Sequence, residues 1–311
     1  MNYSKLFRVE PGTNISLEEV DPNFTAELRD SKKAAKQVEK LDRKLRELQY
    51  LIYSEGKRSL LICLQALDGA GKDGIINHVL GSMNPQGTRV HGFKAPTEEE
   101  RKHDFLWRIQ QQAPKPGEVV IFNRSQYEDV LVVRVHDLVP RDVWEKRYDQ
   151  INEFEKQLVE SGTHILKFFL HISPEEQLER FKLRLDDPAR HWKISEGDYA
   201  EREFWDDYTR AYEDALSKTS TEHAPWFVIP SNNKWFRNLA VAKIVVESME
   251  SLGMKLPEPK VDIEEIRRKY HHAEAEEVAK IGKKKWKKLI AAEAKKAKRT
   301  RKSKKADTKN R

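Results

Sequence analysis

The chain alternates short, nearly continuous apolar runs with longer segments in which apolar residues recur at helical spacing. Runs of the first kind are typical of strands buried on both faces, and segments of the second kind are typical of amphipathic helices. This alternation predicts a three-layer α/β/α domain with a parallel sheet. The predicted strands are 59–65, 88–93, 118–122, 164–172 and 226–230, and the predicted helices are 72–81, 97–112, 141–161, 174–185, 198–217 and 234–252.

The pattern divides the chain into three segments. Residues 1–54 are predicted to form a polar arm and one long charged helix, beginning near Ser31, that packs on the main body. Residues 55–256 hold the strands, and 257–311 form a polar, partly helical to disordered tail. The last 32 residues carry 16 Lys+Arg against 2 Asp+Glu, which leaves 42 against 49 in the rest. The net charge of +7 therefore averages an acidic body and a basic tail.

Composition excludes several classes of protein. No stretch approaches the roughly 18 to 20 apolar residues that span a bilayer, and the opening sequence MNYSKLFRVEPG lacks the apolar core of a signal peptide. We therefore expect a cytoplasmic protein without a membrane partner. The one cysteine, Cys63, lies within LLICL and is expected to be a buried apolar residue, so zinc and redox chemistry are excluded.

The first predicted strand runs into the loop ALDGAGKDG and then into an apolar-periodic helix. This is the order of a P-loop, in which backbone N–H groups surround a phosphate and a Lys, here Lys72, reaches its oxygens. Two positions depart from GxxxxGK[ST]: Ala66 replaces the first Gly, and Asp73 replaces the Ser/Thr that binds magnesium. Asp68 can offer a carboxylate to Mg²⁺ instead. The alternative is an ordinary βα loop.

The third predicted strand ends in polar residues, NRSQYED. Ligands of open α/β sheets bind beyond the carboxyl ends of strands, and P-loop enzymes carry an acidic metal ligand there. Because Asn123 occupies that place, the carboxylate would come from Glu128 or Asp129. Arg124 can donate to two phosphate oxygens at once. Alternatively, Arg124 and Glu128 form only a surface ion pair at i, i+4 spacing.

These motifs, together with GFKAPTEEE, HDFLWR and RLDDPARHWKI, resemble the polyphosphate kinase 2 family over about residues 30–255. The family consists of P-loop phosphotransferases that move phosphoryl groups between inorganic polyphosphate and nucleotides. The sequence Asn123-Arg124-Ser125 is similar to the subgroup that acts on both nucleoside mono- and diphosphates. The resemblance implies a P-loop kinase-like fold with a helical lid, and reversible, Mg²⁺-dependent transfer from polyphosphate to AMP or ADP, with GMP and GDP as further acceptors. It also implies a homodimer or homotetramer.

The resemblance also implies roles for individual residues. Asp68 and Glu128 would bind magnesium, and Lys72 and Arg124 would act on the transferred phosphoryl group. Further phosphate or nucleotide contacts would come from Gly69, Ala70, Gly71, Asp73, Gly74, Lys94, Asn123 and Asp129. A lid at about 184–200 would close on the polyphosphate through Arg184, Arg190, His191 and Lys193. His191 fits a structural role equally well.

Two other functions stay open from the residues alone. An ATP-dependent nucleoside monophosphate kinase uses the same loop, lid and arginines, and nothing in the spacing selects the donor. The basic tail is typical of a protein that binds nucleic acid or another polyanion through charge. A solvated tail fits the pattern equally well. We favour electrostatic capture of polyphosphate by the tail, and nucleic acid is not the expected partner.

Overall fold

The computed structural model describes residues 2–28, 30–292 and 294–295. Its strands are β1 (Ser59–Gln65), β2 (Thr88–Gly92), β3 (Val119–Asn123), β4 (Thr163–His171) and β5 (Trp226–Pro230). Its α-helices are α1 (Tyr3–Phe7), α2 (Ser31–Glu55), α3 (Lys72–Ile75), α4 (Trp107–Gln110), α5 (Val132–Val135), α6 (Arg141–Glu160), α7 (Pro174–Leu185), α8 (Glu196–Ala200), α9 (Trp205–Thr219), α10 (Lys234–Ser251) and α11 (Ile263–Ile281). Residues 283–292 are also helical.

The strands form one sheet in the order β2-β3-β1-β4-β5, and every neighbouring pair is parallel. After β3 the chain crosses β1 to reach β4 on the other side. The carboxyl ends of β1 and β3 therefore border the crevice where open α/β sheets bind ligands. The predicted P-loop kinase-like parallel sheet is confirmed.

Each face of the sheet packs on its own helical layer, because successive side chains of a strand point to opposite faces. Leu60, Ile62 and Leu64 of β1 belong to the apolar cluster with α2 and α10, and Leu61 and Cys63 belong to the cluster with α6 and α9. Cys63 is fully buried, and burial raises the pKa of its thiol. The thiol is therefore no nucleophile, as its sequence context predicts.

The first residues of the chain lie along β5. The N–H of Val9 donates to the carbonyl of Trp226 over 2.9 Å, and Arg8 forms an antiparallel bridge with Phe227. The ring of Phe7 packs edge-on against Phe236 of α10. The amino-terminal arm thus covers the edge of the sheet at β5, which would otherwise present unpaired backbone groups.

Residue contacts separate a unit Met1–Leu256, which contains the whole sheet, from a unit Pro257–Arg311. The described part of the second unit consists of α11 and the helical residues 283–292, separated by Gly282. In neither unit does a described helix combine the length and hydrophobicity needed to cross a membrane. The predicted disordered end of the tail lies outside the described residues from 296 onward.

Three predicted helices differ from the structure in extent. The prediction of one helix over 97–112 is wrong, because only α4 and the 3-10 turn Glu100–Lys102 are helical there. Asp104 starts a new turn between them, since its carboxylate accepts from Leu106 N at 2.9 Å and its carbonyl from Trp107 N. The helix predicted at 72–81 becomes a π-helix after Ile75, and the one at 198–217 is divided by a 3-10 turn.

A fully buried ion pair fixes the 3-10 turn Gln126–Val130 that follows β3. The ammonium of Lys167 on β4 donates to Glu155 of α6 at 2.6 Å and to the hydroxyl of Tyr127 at 2.9 Å. The other carboxylate oxygen of Glu155 accepts from the side-chain amide of Gln126. Gln126 and Tyr127, the two residues before Glu128, are therefore fixed by one buried charged network.

Replacing Lys167 with alanine is expected to lower the free energy of unfolding by about 3 to 5 kcal/mol. In the variant the carboxylate of Glu155 stays fully buried but loses the cation that pairs with it, which leaves an uncompensated charge inside the protein. Urea denaturation against the parent measures the change, with Lys57→Ala as an exposed control. A loss equal to that of the control would show that the buried pair contributes nothing.

Candidate active site

The loop between β1 and α3 has the backbone of a phosphate-binding turn. Gly69 and Gly71 have φ values of +82° and +110°, which residues with a Cβ rarely adopt. The ammonium of Lys72, the first residue of α3, is buried and donates to the carbonyl of Ala66 at 2.7 Å. Burial lowers the pKa of Lys72, whereas Asp68 opposes that shift. The lysine thus lies inside the loop, where it can reach a bound phosphate.

Asp68 joins this loop to the end of β3. Its Oδ1 lies 2.9 Å from Nη2 of Arg124 and 3.7 Å from the ammonium of Lys72. Arg124 has a φ of +64°, and its backbone N–H donates to Leu64 at the end of β1. A non-glycine residue in this strained region persists only where its surroundings impose it, and such residues cluster at functional sites.

The charges around Asp68 shift one another's titration. Burial raises the pKa of Asp68, but the nearby cations Lys72 and Arg124 lower it by more than burial raises it. The net pKa of Asp68 therefore lies below its usual range. Burial raises the pKa of Glu128, and Arg124 and Lys72 only partly offset it. For Arg124, Asp68 and Glu128 more than offset the effect of burial and raise its pKa. Two cations and two carboxylates therefore form one coupled cluster.

Asp68 lies at the border of two clefts. The first, which we call the cationic cleft, has a volume of about 710 Å³ and is lined by seven Lys and Arg side chains against two carboxylates. Its cations are Lys72, Arg180, Arg184, Arg190, Lys193, Lys234 and Arg237. The second, the aromatic cleft, has a volume of about 240 Å³ and contains Arg124 and Glu128 beside Trp205, Tyr208 and Tyr212.

Two arginines that no sequence motif indicated donate to the carbonyls of the phosphate loop. Arg180 of α7 donates to the carbonyls of Gly69 and Ala70 at 3.0 and 2.8 Å, and Arg237 of α10 donates to Ala70 at 2.9 Å. Burial and the nearby Arg180 lower the pKa of Arg237 to about 9. With its carbonyls held here, the loop can turn its N–H groups toward a ligand. One signal was visible: a cation among the apolar residues of WFRNLAVA.

The lid predicted from the resemblance lies against the phosphate loop. Lys193, at the end of the 3-10 turn Pro188–Lys193, is 3.2 Å from a carboxylate oxygen of Asp73. The other oxygen of Asp73 accepts from the side-chain amide of Asn123 at 3.1 Å. Arg184 at the end of α7 donates to Asp198 of α8 at 2.9 Å. The residue that replaces the usual Ser/Thr thus links the lid to the end of β3.

The structure does not bring every predicted residue to the clefts. Ala70 is buried in the loop, whereas Gly69, Gly71, Asp73 and Gly74 line the cationic cleft. Asp129 instead pairs with Arg147 and Arg108 at 3.3 and 3.6 Å, away from both clefts. Lys94 is exposed beyond β2 and lines neither cleft, and the ring of His191 bonds to the carbonyl of Leu185.

Asp68 and Glu128 are the carboxylates that could hold a metal ion at this site. Both line the aromatic cleft together with Arg124. The described residues contain no group of three or more His, Cys, Asp or Glu side chains arranged to hold a metal ion. Two carboxylates still suit Mg²⁺, which commonly takes one or two from the protein and its other ligands from phosphates and water.

A parallel sheet with this strand order, a glycine-rich loop behind a buried lysine, and a cationic cleft at the loop define a P-loop phosphotransferase. The family model described as "Polyphosphate kinase 2 (PPK2)" matches residues 28–257. The chain therefore belongs to the polyphosphate kinase 2 family, as its motifs indicate.

Relatives within the family match most of the chain. A protein of Meiothermus ruber named "AMP/ADP-polyphosphate phosphotransferase" is 51% identical over 263 residues, which cover 84% of this chain and 98% of that protein. A Rhodopseudomonas palustris protein named "ADP-polyphosphate phosphotransferase" is 43% identical, over 82% of this chain and 92% of its own length. The crystal structure of polyphosphate kinase 2 from Arthrobacter aurescens TC1 has a TM-score of 0.84 at 44% identity, covering 88% of this chain and 97% of that one.

Proposed function

We propose that the protein transfers the terminal phosphoryl group of inorganic polyphosphate to AMP or ADP, reversibly and with Mg²⁺. One observation carries the proposal: Asp68 and the phosphate loop lie where a cleft lined by seven cations meets a cleft that combines aromatic and charged residues. The first suits a long polyanion and the second a nucleotide. The names of the relatives in Meiothermus ruber and Rhodopseudomonas palustris support the same donor and acceptors.

The cationic cleft would hold the donor. Polyphosphate carries about one negative charge on each phosphate, so its binding requires cations along a channel rather than at one point. The phosphate loop and Lys72 would contact the phosphates nearest the reaction, and Arg190 and Lys193 of the lid would contact the next ones. Each charge-assisted hydrogen bond contributes on the order of 1.5 to 3 kcal/mol. The lid would also exclude water and thereby limit hydrolysis of the donor.

The aromatic cleft would hold the nucleotide, with its phosphate beside Arg124. Trp205, Tyr208 and Tyr212 provide apolar area for the base and ribose. An acceptor phosphate is already anionic and needs no strong base, and the transition state of phosphoryl transfer is loose. Catalysis then requires alignment and charge stabilisation, which Lys72 and Arg124 would supply from the two sides of Asp68.

Asp68 and Glu128 would hold Mg²⁺. When bound, the ion neutralises charge on the phosphate oxygens and so reduces the repulsion between donor and acceptor. Arg124 would favour the ionised form of both carboxylates before metal binds, because it lowers the pKa of Asp68 and partly offsets the rise that burial gives the pKa of Glu128. The homodimer or homotetramer implied by the resemblance remains a prediction, which light scattering of the purified protein tests.

A comparison of donors tests the proposed function directly. Purified protein is supplied with AMP and Mg²⁺ and with either polyphosphate or ATP, and the formation of ADP is measured for each. We expect polyphosphate to support the faster reaction, because seven cations exceed what the triphosphate of one nucleotide requires. If ATP were clearly the better donor, the nucleoside monophosphate kinase would be the correct interpretation.

Lys234 gives a prediction that separates the two clefts. It begins α10, is exposed, and lines only the cationic cleft. Lys234→Ala is expected to raise the KM for polyphosphate about tenfold, equivalent to about 1.4 kcal/mol, and to leave the KM for AMP unchanged. Steady-state kinetics at low salt measure both constants, with Lys36→Ala, exposed on α2 and outside the lining of both clefts, as a control. An equal effect on both substrates would contradict the assignment.

A further inference from the structure

The two clefts of the candidate active site differ in the sign of their charge. Seven Lys and Arg side chains line the cationic cleft against two carboxylates, whereas four carboxylates line the aromatic cleft against two arginines. The carboxylates of the aromatic cleft are Asp68, Glu128, Asp198 and Glu201. The aromatic cleft therefore lacks the excess of positive charge that a long polyanion requires.

Glu201 is the carboxylate of this cleft that neither metal binding nor an ion pair explains. Asp68 and Glu128 are the proposed Mg²⁺ ligands, and Asp198 pairs with Arg184 at 2.9 Å. Glu201 forms no ion pair with a described Lys or Arg, and 38% of its side chain is exposed. An accessible carboxylate on the wall of a substrate cleft can accept hydrogen bonds from the substrate.

Two neighbouring side chains fix the direction of the Glu201 carboxylate. The hydroxyl of Tyr208 donates to its Oε2 at 2.7 Å, and Nε2 of His136 lies 3.1 Å from Oε2 and 3.0 Å from Oε1. Because a carboxylate only accepts, Nε2 of His136 must carry the hydrogen. The ring of His136 packs in turn on the ring of Phe204, with 4.7 Å between centroids. Glu201 is therefore held in place before a ligand binds.

The carboxylate of Glu201 keeps acceptor capacity for that ligand. Its two oxygens have about four lone-pair positions, and the contacts from Tyr208 and His136 leave at least one of them for another donor. Burial raises the pKa of Tyr208, and the carboxylates of Glu201, Glu128 and Asp68 raise it further. Since all four residues line one cleft, a single molecule there can contact both Glu201 and the proposed Mg²⁺ site.

Nucleosides and polyphosphate differ in the groups that they present to such an acceptor. A nucleoside carries O–H groups on its ribose, and adenosine also carries an amino group on its base, all of which can donate. Polyphosphate presents anionic oxygens, which accept hydrogen bonds and are repelled by a carboxylate. A fixed carboxylate can therefore favour one substrate and disfavour the other at the same position.

We propose that Glu201 is a specificity-determining residue of the aromatic cleft, where its carboxylate accepts a hydrogen bond from an O–H or N–H group of the nucleoside and disfavours polyphosphate. This inference rests on the proposed function, which assigns the nucleotide to that cleft. It adds a contact to the nucleoside itself, whereas Lys72, Arg124 and the proposed Mg²⁺ ligands act on phosphate groups.

Binding of AMP and of three analogues, measured by calorimetry without polyphosphate, tests the proposal. The analogues are 2′-deoxy-AMP, 3′-deoxy-AMP and purine riboside 5′-monophosphate, which lack the 2′-hydroxyl, the 3′-hydroxyl and the 6-amino group in turn. Glu201→Ala is expected to weaken AMP binding about tenfold. At least one analogue should bind the parent about tenfold more weakly than AMP, yet bind Glu201→Ala as tightly as AMP does. That analogue identifies the group that donates to Glu201.

Glu203→Ala is the matched control, because Glu203 lies in the same 3-10 turn, Glu201–Phe204, but is exposed and lines neither cleft. It should bind AMP as tightly as the parent does. If Glu201→Ala does not fold, Glu201→Gln keeps the shape of the side chain without its charge, and it should reduce the penalty of that analogue by about threefold or more.

Two results would overturn the role of Glu201. One is an equal penalty for every analogue in the parent and in the Glu201 variant, and the other is equal affinity of Glu201→Ala and Glu203→Ala for AMP. A parent protein that binds no AMP would overturn the proposed function as well. Failure of this inference alone is thus distinguishable, because the parent then still binds AMP.

Discussion

Replacing Lys72 with alanine is expected to lower the rate of phosphoryl transfer from polyphosphate to AMP by about 10²- to 10³-fold. The ammonium of Lys72 is the buried cation of the phosphate loop, and it lies 3.7 Å from Asp68 at the border of the two clefts. No other Lys lies within the loop, and a bound water cannot supply its charge. Initial rates of ADP formation at saturating substrates measure the loss.

The fold of this variant should survive, because Lys72 donates only to the carbonyl of Ala66 inside its own loop. An unchanged far-UV spectrum would show that the loss is chemical. Asp68→Asn should have an effect of similar size, since it removes the charge between Lys72 and Arg124. Lys40→Ala, exposed on α2, is the matched control. Activity of Lys72→Ala equal to that of Lys40→Ala would refute the assignment of the site.

Replacing Gly71 with alanine is expected to lower the rate of transfer by about 10²-fold and the free energy of unfolding by about 2 to 4 kcal/mol. A Cβ at this position would lie 1.9 Å from Nη1 of Arg237. Arg237 cannot yield freely, because it is buried and donates to Ala70 and Asn238. The alanine therefore displaces either the loop or the arginine that holds it. Activity assays and urea denaturation measure the two effects.

The variant Gly12→Ala distinguishes the effect of backbone strain from the effect of the steric contact with Arg237. Gly12 also has a left-handed backbone, with a φ of +78°, but a Cβ there would meet nothing within 4 Å. We expect this control to lose only about 1 kcal/mol of stability and to keep its activity. If Gly71→Ala behaved like Gly12→Ala, then the contact between Arg237 and the loop would not shape the phosphate site.

The strands of the sheet and about half of the site residues could be predicted from local sequence. The apolar runs of β1, β3, β4 and β5 are strands because each is buried on both faces, and burial leaves a pattern in the composition of the run itself. The loop residues Asp68 and Lys72 could be predicted because strand, turn and helix follow one another within a few positions. Arg124 could be predicted because it directly follows a buried strand.

The role of Asp129 could not be predicted from its position after a strand. From its position it was as good a candidate as Glu128, since the two are neighbours after the same strand. In the structure their side chains have different surroundings. Glu128 lines the aromatic cleft, whereas Asp129 pairs with Arg108 and Arg147. In a 3-10 turn successive side chains point about a third of a turn apart, so a shift of one residue decides which cleft or partner each one meets.

By itself, the sequence determined the family, the parallel sheet and the loop that carries Lys72, because each of these depends on residues close together in the chain. Only the tertiary structure decided what surrounds that loop. Arg180 and Arg237 lie more than 100 residues after Ala70, yet both donate to its carbonyl. Contacts between distant segments leave no local pattern, since any helix can carry an arginine and only packing determines which one is buried against a phosphate loop.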